Sequence, residues 1–191
     1  MNSQREGLEE VMRVIAGKYK SRQLKAVPTK LTRPTTDKNK ENLYNMIGPY
    51  FDGGICLDLF AGSGGLSIEA ASRGIERAIL IEKHPKAIQV IHHNIAITKA
   101  PEKFQVLRST ANQYIDNFAE DFQFDLVFFD PPYRLQEIEK QIAKLEAKSM
   151  LSEDCEIVCE TDAKIVLSDV GAYTIRKRQV YGTIAVTIYT K

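Results

Sequence analysis

The chain has 191 residues, of which 43% are hydrophobic and 27% are charged, and its formal net charge of +1 is ordinary for a soluble globular protein of one domain. No apolar run approaches the roughly 20 residues of a membrane span, and MNSQREGLEE lacks the basic-then-apolar order of a signal peptide, so we expect a cytoplasmic protein with no membrane partner. The three cysteines, Cys56, Cys155 and Cys159, have no histidine at metal-ligand spacing, which predicts reduced core thiols and no metal site.

A basic segment comes early in the chain. Between Arg13 and Lys40 there are nine basic residues and one acid, whereas the remainder of the chain is mildly acidic. Apolar residues are interleaved with the basic ones in MRVIAGKYKSRQLKAV, a pattern that predicts a β-hairpin turning around Lys18 to Ser21. Most charged runs are solvated faces, but a basic hairpin also suits nucleic-acid binding, and the sequence is compatible with both.

Strand and helix patterns then alternate. The strand patterns are, in order, GICLDLF, RAILIE, KFQVLRS, FDLVFF and CEIVCE, and the helical patterns between them include GLSIEAASR, HPKAIQVIHHNIAITK and LQEIEKQIAKLEAK. At the end, AYTIRKRQVYGTIAVTIYT predicts a β-hairpin about Tyr181 and Gly182. The alternation predicts an α/β fold with a doubly wound, mostly parallel sheet, and the hairpin predicts an antiparallel edge.

Three predicted strands end in residues that suit a ligand site, because ligands of doubly wound sheets bind outside the carboxyl ends of the strands. The first strand holds Asp58 and runs into the glycine turn AGSGG, which lets a ligand approach the backbone at a helix N-terminus. The second ends at Glu82, about 20 residues after Gly62, the separation at which an acid commonly accepts from ribose hydroxyls. The third is followed by Asp130.

These residues favour S-adenosylmethionine over a nicotinamide dinucleotide as cofactor. A dinucleotide fingerprint places glycine where Ser67 stands, and an acid at the position of Asp58 would face a pyrophosphate. S-adenosylmethionine has no phosphate, its ammonium suits Asp58 and its ribose suits Glu82. A capping or turn acid at Asp58 and a plain surface acid at Glu82 are the alternative interpretations.

With these motifs the chain resembles the class I S-adenosylmethionine-dependent methyltransferases, and DPPY resembles the motif of those that methylate exocyclic amines of nucleobases. More narrowly, MRVIAGKYKSRQLKAV, TRPTTDKNKENLYNMI and LDLFAGSGGLSIEAASRG resemble the bacterial 16S ribosomal RNA (guanine-N2)-methyltransferase family, from Met12 to the C-terminus. The resemblance implies a Rossmann-like, seven-stranded, mostly parallel sheet with an antiparallel C-terminal hairpin strand, plus a small N-terminal β-hairpin. The implied partner is ribosomal RNA or the assembling small subunit, and a monomer is favoured.

The resemblance also divides the chain and assigns its residues. Residues 1–11 form an extension, residues 12–35 a basic hairpin arm for RNA, and residues 36–191 the methyltransferase domain. The expected catalytic residues are Asp130, Pro131, Pro132 and Tyr133. The expected cofactor contacts are Asp58, Phe60, Ala61, Gly62, Ser63, Gly64, Gly65, Glu82, Lys83, Thr110 and Ala111. The expected RNA contacts are Arg13, Lys18, Lys20, Arg22, Arg33 and Thr35.

One part of the family pattern is missing. Such enzymes often place an acid near the adenine after the third strand, where this chain has Ser109, Thr110 and Ala111, so Thr110 or a backbone amide must serve instead. Further upstream, Thr35 or Thr36 is expected to cap the helix in DKNKENLYNMI, a role that is compatible with a contact of Thr35 to cofactor or RNA.

The DPPY motif suits methylation of an exocyclic amine, a weak nucleophile whose lone pair is delocalised into the base. If Asp130 accepts one amino hydrogen and the carbonyl of Pro131 the other, the lone pair turns toward the methyl donor. Pro131 and Pro132 cannot donate to a ladder, so they end the strand and fix that carbonyl, and Tyr133 would stack on the flipped base. A turn with a capping acid and a packing tyrosine is the alternative interpretation.

Two other functions are compatible with parts of this pattern. A DNA or RNA adenine-N6 methyltransferase would share DPPY, but such DNA enzymes usually carry a sizeable target-recognition region, and few residues follow Asp130 here. A non-catalytic RNA-binding protein would keep the basic hairpin but would not need acids at three strand ends.

Overall fold

The computed structural model describes residues 12–28, 36–132 and 136–191, and within them it contains two sheets. The small sheet pairs β1 (Met12–Arg13) with β2 (Gln23–Leu24). The strands of the large sheet are β3 (Ile55–Asp58), β4 (Arg77–Glu82), β5 (Phe104–Arg108), β6 (Phe124–Phe129), β7 (Leu151–Asp162), β8 (Thr174–Tyr181) and β9 (Ile184–Thr190). The helices are α1 (Asp37–Ile47), α2 (Gly65–Ser72), α3 (Pro85–Thr98), α4 (Ala111–Asp116) and α5 (Ile138–Ala147).

The large sheet is doubly wound. Its strand order is β5-β4-β3-β6-β7-β9-β8, with β3 to β7 all parallel and β9 antiparallel to both β7 and β8. The chain moves outward from β3 to β5 and then returns to place β6 on the other side of β3, so the order reverses between β3 and β6. The predicted α/β fold with a mostly parallel sheet and an antiparallel closing hairpin is confirmed.

Both faces of the sheet are covered, which explains why its parallel strands read as nearly continuous apolar runs. On the face of Leu80 and Phe128, here called the first face, the core includes residues of the N-terminal hairpin and of α1, α2 and α3. On the face of Ile79 and Val127, the second face, the core includes residues of α4 and α5. Successive residues of a strand alternate between the two faces, so every second residue of β6 points toward the N-terminal hairpin side.

Local signals set the helix boundaries much as predicted. The hydroxyl of Thr36 accepts a hydrogen bond from the Asn39 N–H at 3.3 Å, so Thr36 is the N-cap of α1, while Thr35 lies outside the described residues. Within the predicted helical pattern LQEIEKQIAKLEAK, the apolar residues Ile138, Ile142 and Leu145 are all buried in α5, while Leu135 lies outside the described residues.

The N-terminal hairpin packs tightly on α2. The backbone N–H of Lys18 donates to the Ser72 carbonyl at 2.8 Å, and a Cβ added at Gly17, whose φ is +81°, would overlap that carbonyl oxygen. Only glycine therefore permits this approach of hairpin to helix. Val14 and Tyr19, both 1% exposed, join the core of the first face, so the hairpin is part of the packed structure rather than a loose arm.

Two composition-based expectations can also be compared with the structure. Cys56, Cys155 and Cys159 are free and buried, which confirms the prediction of reduced core thiols. None of the described helices combines the length and the apolar character that a membrane crossing requires.

Candidate active site

The strand reversal brings the three predicted strand-end acids to one edge of the sheet. In the parallel register Asp58 lies beside Leu80 of β4 and beside Phe128 of β6. Glu82 and Asp130 follow those two neighbours by two residues, so strand alternation directs all three acids to the first face. The carboxyl edge at this reversal is where doubly wound sheets bind their ligands.

Asp58 is 2% exposed and is held by two donors. The Ser67 hydroxyl donates to its Oδ2 at 2.9 Å, and the Phe60 N–H donates to its Oδ1 at 3.3 Å. Burial raises the pKa of Asp58 to about 7, with Asp130 and Glu82 adding to the rise and the two hydrogen bonds opposing it. A carboxyl group whose charge is this poorly solvated gains from a cationic ligand.

The sequence did not reveal the role of Ser67. In the sequence, Ser67 only marked the position where a dinucleotide fingerprint would have a glycine. In the structure, its hydroxyl makes the shorter of the two hydrogen bonds to the Asp58 carboxylate, 2.9 Å against 3.3 Å. Asp58 is the last residue of β3, and Ser67, nine positions later, lies in the first turn of α2. Only the folded glycine turn brings the two side chains together.

The glycine turn between β3 and α2 opens to free space at Gly62, whereas Gly64 and Gly65 are buried. Gly62 has φ +56°, and a Cβ added there would meet no described atom within 4 Å. Gly64 is the N-cap of α2 with φ +78°, and Gly65 is the first residue of that helix. Asn94 of α3 donates to the Ser63 carbonyl at 2.9 Å, and the Ala61 side chain is buried. The side of the turn that faces α3 is therefore fixed, while Gly62 remains open to a ligand.

Glu82 is fixed at the end of β4. Its Oε2 accepts from the Gly62 N–H at 3.0 Å, and its Oε1 accepts from the N–H groups of Lys83 and His84 at 2.8 and 2.9 Å. A carboxylate offers about four acceptor sites, so one remains for a further donor such as a ribose hydroxyl. Glu82 joins the glycine turn to the start of α3 and is therefore more than a plain surface acid.

The remaining predicted cofactor residues have structural contacts of their own. Thr110 is the N-cap of α4: its hydroxyl accepts from the Gln113 N–H at 3.2 Å, and Gln113 Oε1 accepts from the Thr110 N–H at 3.4 Å. Ala111 is buried at the start of that helix. The Phe60 ring lies 6.5 Å from the Phe129 ring on the second face.

Asp130 lies at the mouth of the site. It is exposed, Pro131 is buried and Pro132 is exposed, whereas Tyr133 lies outside the described residues. Desolvation of the carboxyl group and, second, the neighbouring Glu160 raise the pKa of Asp130 well above its usual range. Because water reaches the residue, screening moderates this rise.

Glu160 is a fourth acid at the same edge. Phe128 pairs with Val158 and Phe129 with Cys159, so the next step along the two parallel strands sets Asp130 beside Glu160. Glu160 is 8% exposed, and burial raises its pKa to about 6. The sequence carried a signal for it, since the strand pattern CEIVCE also ends in an acid. Only the strand order could show that this strand neighbours the DPPY strand.

The predicted RNA-contact residues are in different environments. Lys18 and Lys20 are exposed at the hairpin turn, and the exposed Arg13 pairs with Asp37 at 2.6 Å. Arg33 and Thr35 lie outside the described residues.

Arg22 contacts the body of the protein. Its Nη1 donates to the carbonyls of Ile97 and Thr98 at 2.7 Å each, at the C-terminal end of α3, and its guanidinium lies 5.1 Å from the centre of the Tyr19 ring. A cation at a helix C-terminus is favourable, so Arg22 fastens the hairpin to α3. It is therefore less free to contact RNA than the two lysines.

Two further residues, which the sequence analysis did not identify, connect the hairpin by hydrogen bonds to the glycine turn and to the helix that follows it. The Asn94 side chain accepts from the Lys25 N–H at 2.8 Å and donates to the Lys25 carbonyl at 2.9 Å, besides its bond to Ser63. The Glu69 carboxylate, fully buried in α2, accepts from the N–H groups of Ile15 and Ala16 at 2.8 and 3.0 Å. The basic hairpin and the open turn are thus held in one fixed arrangement.

No metal centre accompanies these acids: among the residues that the structure describes, no group of three or more His, Cys, Asp or Glu side chains could hold a metal ion.

Comparisons with known proteins identify the family of the chain. The family model described as conserved hypothetical protein 95 matches residues 12–190. Ribosomal RNA small subunit methyltransferase D of Escherichia coli (strain K12) is 33% identical over 94% of this chain and 90% of that protein. YlbH of Bacillus subtilis (strain 168) is 45% identical over 94% of this chain and 99% of its own length.

A solved structure is also similar. A conserved hypothetical protein from Streptococcus pyogenes shares 47% identity and a TM-score of 0.77, over 80% of this chain and 95% of that chain. Because the family model and the relatives span almost the whole chain, the chain belongs to the conserved hypothetical protein 95 family, the family of ribosomal RNA small subunit methyltransferase D.

Proposed function

We propose that this protein uses S-adenosylmethionine to methylate the exocyclic N2 amine of a guanine in 16S ribosomal RNA. The observation that carries the proposal is the convergence of Asp58, Glu82 and Asp130 at the carboxyl edge where the strand order reverses, beside a glycine turn that opens to free space at Gly62. A non-catalytic RNA-binding protein has no need of that arrangement.

The described residues fit the cofactor group by group. S-adenosylmethionine supplies an electrophilic methyl group on a positively charged sulfur. Asp58 is a poorly solvated carboxyl group that gains from an ammonium partner. Glu82 keeps an acceptor for a ribose hydroxyl, and the turn at Gly62 leaves room for the cofactor backbone. Thr110 and Ala111 lie at the start of α4, where a backbone amide can meet the adenine.

Asp130 and the Pro131 carbonyl act on the amine. Each accepts one hydrogen of the N2 group, so that the nitrogen lone pair leaves the plane of the base and turns toward the methyl carbon. As the carbon–nitrogen bond forms, the carbon–sulfur bond breaks, and the proton that the nitrogen then loses passes to the Asp130 carboxylate. Tyr133 stacks on the extruded guanine.

The RNA is held by the basic hairpin. Lys18 and Lys20 are exposed on a hairpin that Arg22, Asn94 and Glu69 fix relative to the cofactor turn. Phosphate contacts from such residues position the RNA without reading its sequence. The partner is ribosomal RNA or the assembling small subunit, and the Escherichia coli relative is named for the small-subunit ribosomal RNA.

The proposal is tested with labelled S-adenosylmethionine. The protein is incubated separately with small ribosomal subunits, with naked 16S RNA and with DNA, and each product is digested to nucleosides. We expect label in N2-methylguanosine from the subunit or its RNA, and none with the Asp130→Ala variant. Label in N6-methyladenosine would support the adenine methyltransferase alternative, and no transfer to any nucleic acid would contradict the proposal.

A further inference from the structure

The Asp130 and Glu160 side chains lie side by side at the mouth of the site. Asp130 directly follows β6 and Glu160 lies in β7, each one step beyond the Phe129–Cys159 pair, and alternation directs both to the first face. Neighbouring strands are about 4.8 Å apart, so two adjacent carboxyl groups present acceptors at a spacing that a single nucleobase edge can bridge.

The pair is unfavourable in the free protein. Glu160 is 8% exposed, and the hydrogen bonds of the described residues include none to its carboxylate. A largely buried carboxylate is poorly hydrated, and a second carboxylate beside it adds repulsion. Such a pair gains from a ligand that brings N–H donors.

Guanine is the nucleobase that offers two adjacent donors on one edge. Its N1–H and one hydrogen of its N2 amine point in the same direction, toward the Watson–Crick partner. Adenine and cytosine place an acceptor nitrogen beside their amino group, and uracil has carbonyl oxygens on both sides of its single N–H. Two neighbouring acceptors therefore match guanine and oppose the other three bases.

We propose that Glu160 accepts the N1–H of the target guanine while Asp130 accepts its N2–H, so that Glu160 determines which base is methylated. This inference rests on the proposed guanine-N2 activity and adds to it the residue that reads the base. Asp130 alone would accept from any exocyclic amine. A site built to accept from a substrate N–H rejects a base that has a lone pair there, because two acceptors then face each other.

The test compares guanine with 2-aminopurine, which keeps the 2-amino group but has a lone pair at N1 in place of the hydrogen. RNA with either base at the modified position is methylated in single turnover by the wild type, by Glu160→Gln and by Glu156→Gln. The last variant is a matched control on the same strand, since Glu156 lies four residues before Glu160 on β7 and pairs with Arg176 at 2.6 Å. S-adenosylhomocysteine binding, measured by calorimetry, reports whether each variant keeps an intact cofactor site.

We expect the wild type to prefer guanine, and Glu160→Gln to lose about 10- to 100-fold of its rate on guanine while losing little on 2-aminopurine, the range for one hydrogen bond to a charged group. The control should keep the wild-type preference. Equal losses on both bases would show that Glu160 only positions Asp130 and would overturn the assignment. A wild type that methylates 2-aminopurine as fast as guanine would overturn it without any variant. A wild type that produces no N2-methylguanosine would overturn the proposed function itself.

Discussion

Two buried acidic sites in this protein are built in opposite ways. Glu69, fully buried in α2, accepts from two backbone N–H groups and pairs with Arg73 at 2.8 Å and with Lys40 at 3.3 Å; we call these three side chains the anchor cluster. At the carboxyl edge, Asp58 has two neutral donors and Glu160 has none among the described residues, and burial raises the pKa of both.

The difference between the two sites shows which acids stabilise the fold and which are available to bind a ligand. The anchor cluster satisfies its charges internally and joins the hairpin, α1 and α2 into one unit. The edge acids, Asp58, Asp130 and Glu160, are left underpaired, so their unfavourable free energy is relieved by a ligand that brings an ammonium and N–H donors. Stability and affinity thus depend on different acids: replacing an anchor acid should cost stability, whereas replacing an edge acid should cost affinity or rate without costing stability.

Removing the carboxylate of the anchor cluster should cause the largest decrease in the free energy of unfolding. Glu69→Ala leaves Lys40 and Arg73, both 4% exposed, without their counter-charge, and we expect the free energy of unfolding to fall by about 3–5 kcal/mol. Urea denaturation measures it, with the exposed Glu76→Ala on the following loop as a control that should stay within about 0.5 kcal/mol of the wild type. A decrease below about 1 kcal/mol for Glu69→Ala would remove the basis of the comparison.

An edge acid should behave in the opposite way. Asp130→Asn keeps the size of the side chain and one acceptor oxygen but loses the charge that stabilises the developing positive nitrogen. We expect methyl transfer to slow by about 10²- to 10³-fold with no loss of stability. Single-turnover methylation and urea denaturation of the same preparation measure the two quantities. Wild-type turnover in this variant would contradict a catalytic role for Asp130 and would support the alternative interpretation of DPPY as a turn with a capping acid.

Asp58 offers a prediction in which stability and affinity change in opposite directions. Its pKa of about 7 in the folded protein lies above the ordinary value of 3.8, so the folded state binds the extra proton and stability falls as pH rises from about 4 to about 7. Asp58→Asn should remove this decline and stabilise the ligand-free protein at pH 8 by on the order of 4 kcal/mol.

The same substitution should weaken S-adenosylhomocysteine binding by about 1.5–3 kcal/mol, the range for hydrogen bonds to charged groups. Denaturation curves at several pH values and calorimetry at pH 8 give the two results. Ser67→Ala is the matched variant: it removes the hydroxyl that opposes the pKa rise, so its affinity should decline at a higher pH than that of the wild type as the solution is acidified. Equal pH profiles for wild type and Ser67→Ala would show that the hydroxyl does not influence the charge.

The smallest effects should come from the hairpin surface. Replacing Lys18 and Lys20 with serine should reduce the dependence of log affinity for RNA on log salt by roughly 0.7 to 0.9 for each phosphate that is no longer neutralised, with cofactor affinity unchanged. Arg22→Ala should instead lower stability by about 1 kcal/mol, because its guanidinium no longer binds the end of α3. Filter binding across a salt series, beside thermal unfolding, separates the two classes of residue. A salt dependence unchanged in the double variant would locate the RNA surface elsewhere.

Much of the fold and part of the site could be predicted from the sequence because the signals are local. Apolar runs of five or six residues between turn signals located the parallel strands, and TT before DKNKENLY located the cap of α1. Asp58, Glu82 and Asp130 were recognisable because each stands at the end of a strand pattern. A strand end is a position in sequence, so no tertiary information was needed to identify these acids.

The tertiary structure decided the partners of these residues. Ser67 reaches Asp58 across a folded turn, Arg22 reaches the end of α3 some 75 residues away, and Glu160 stands beside Asp130 because β7 is the neighbour of β6 in the strand order. Strand order follows from how helices cover the two faces of the sheet, a property of the whole chain that no short pattern carries. The sequence by itself therefore identified Asp58, Glu82 and Asp130 as strand-end acids, whereas packing placed Glu160 beside Asp130 and determined which acids are paired and which are left for a ligand.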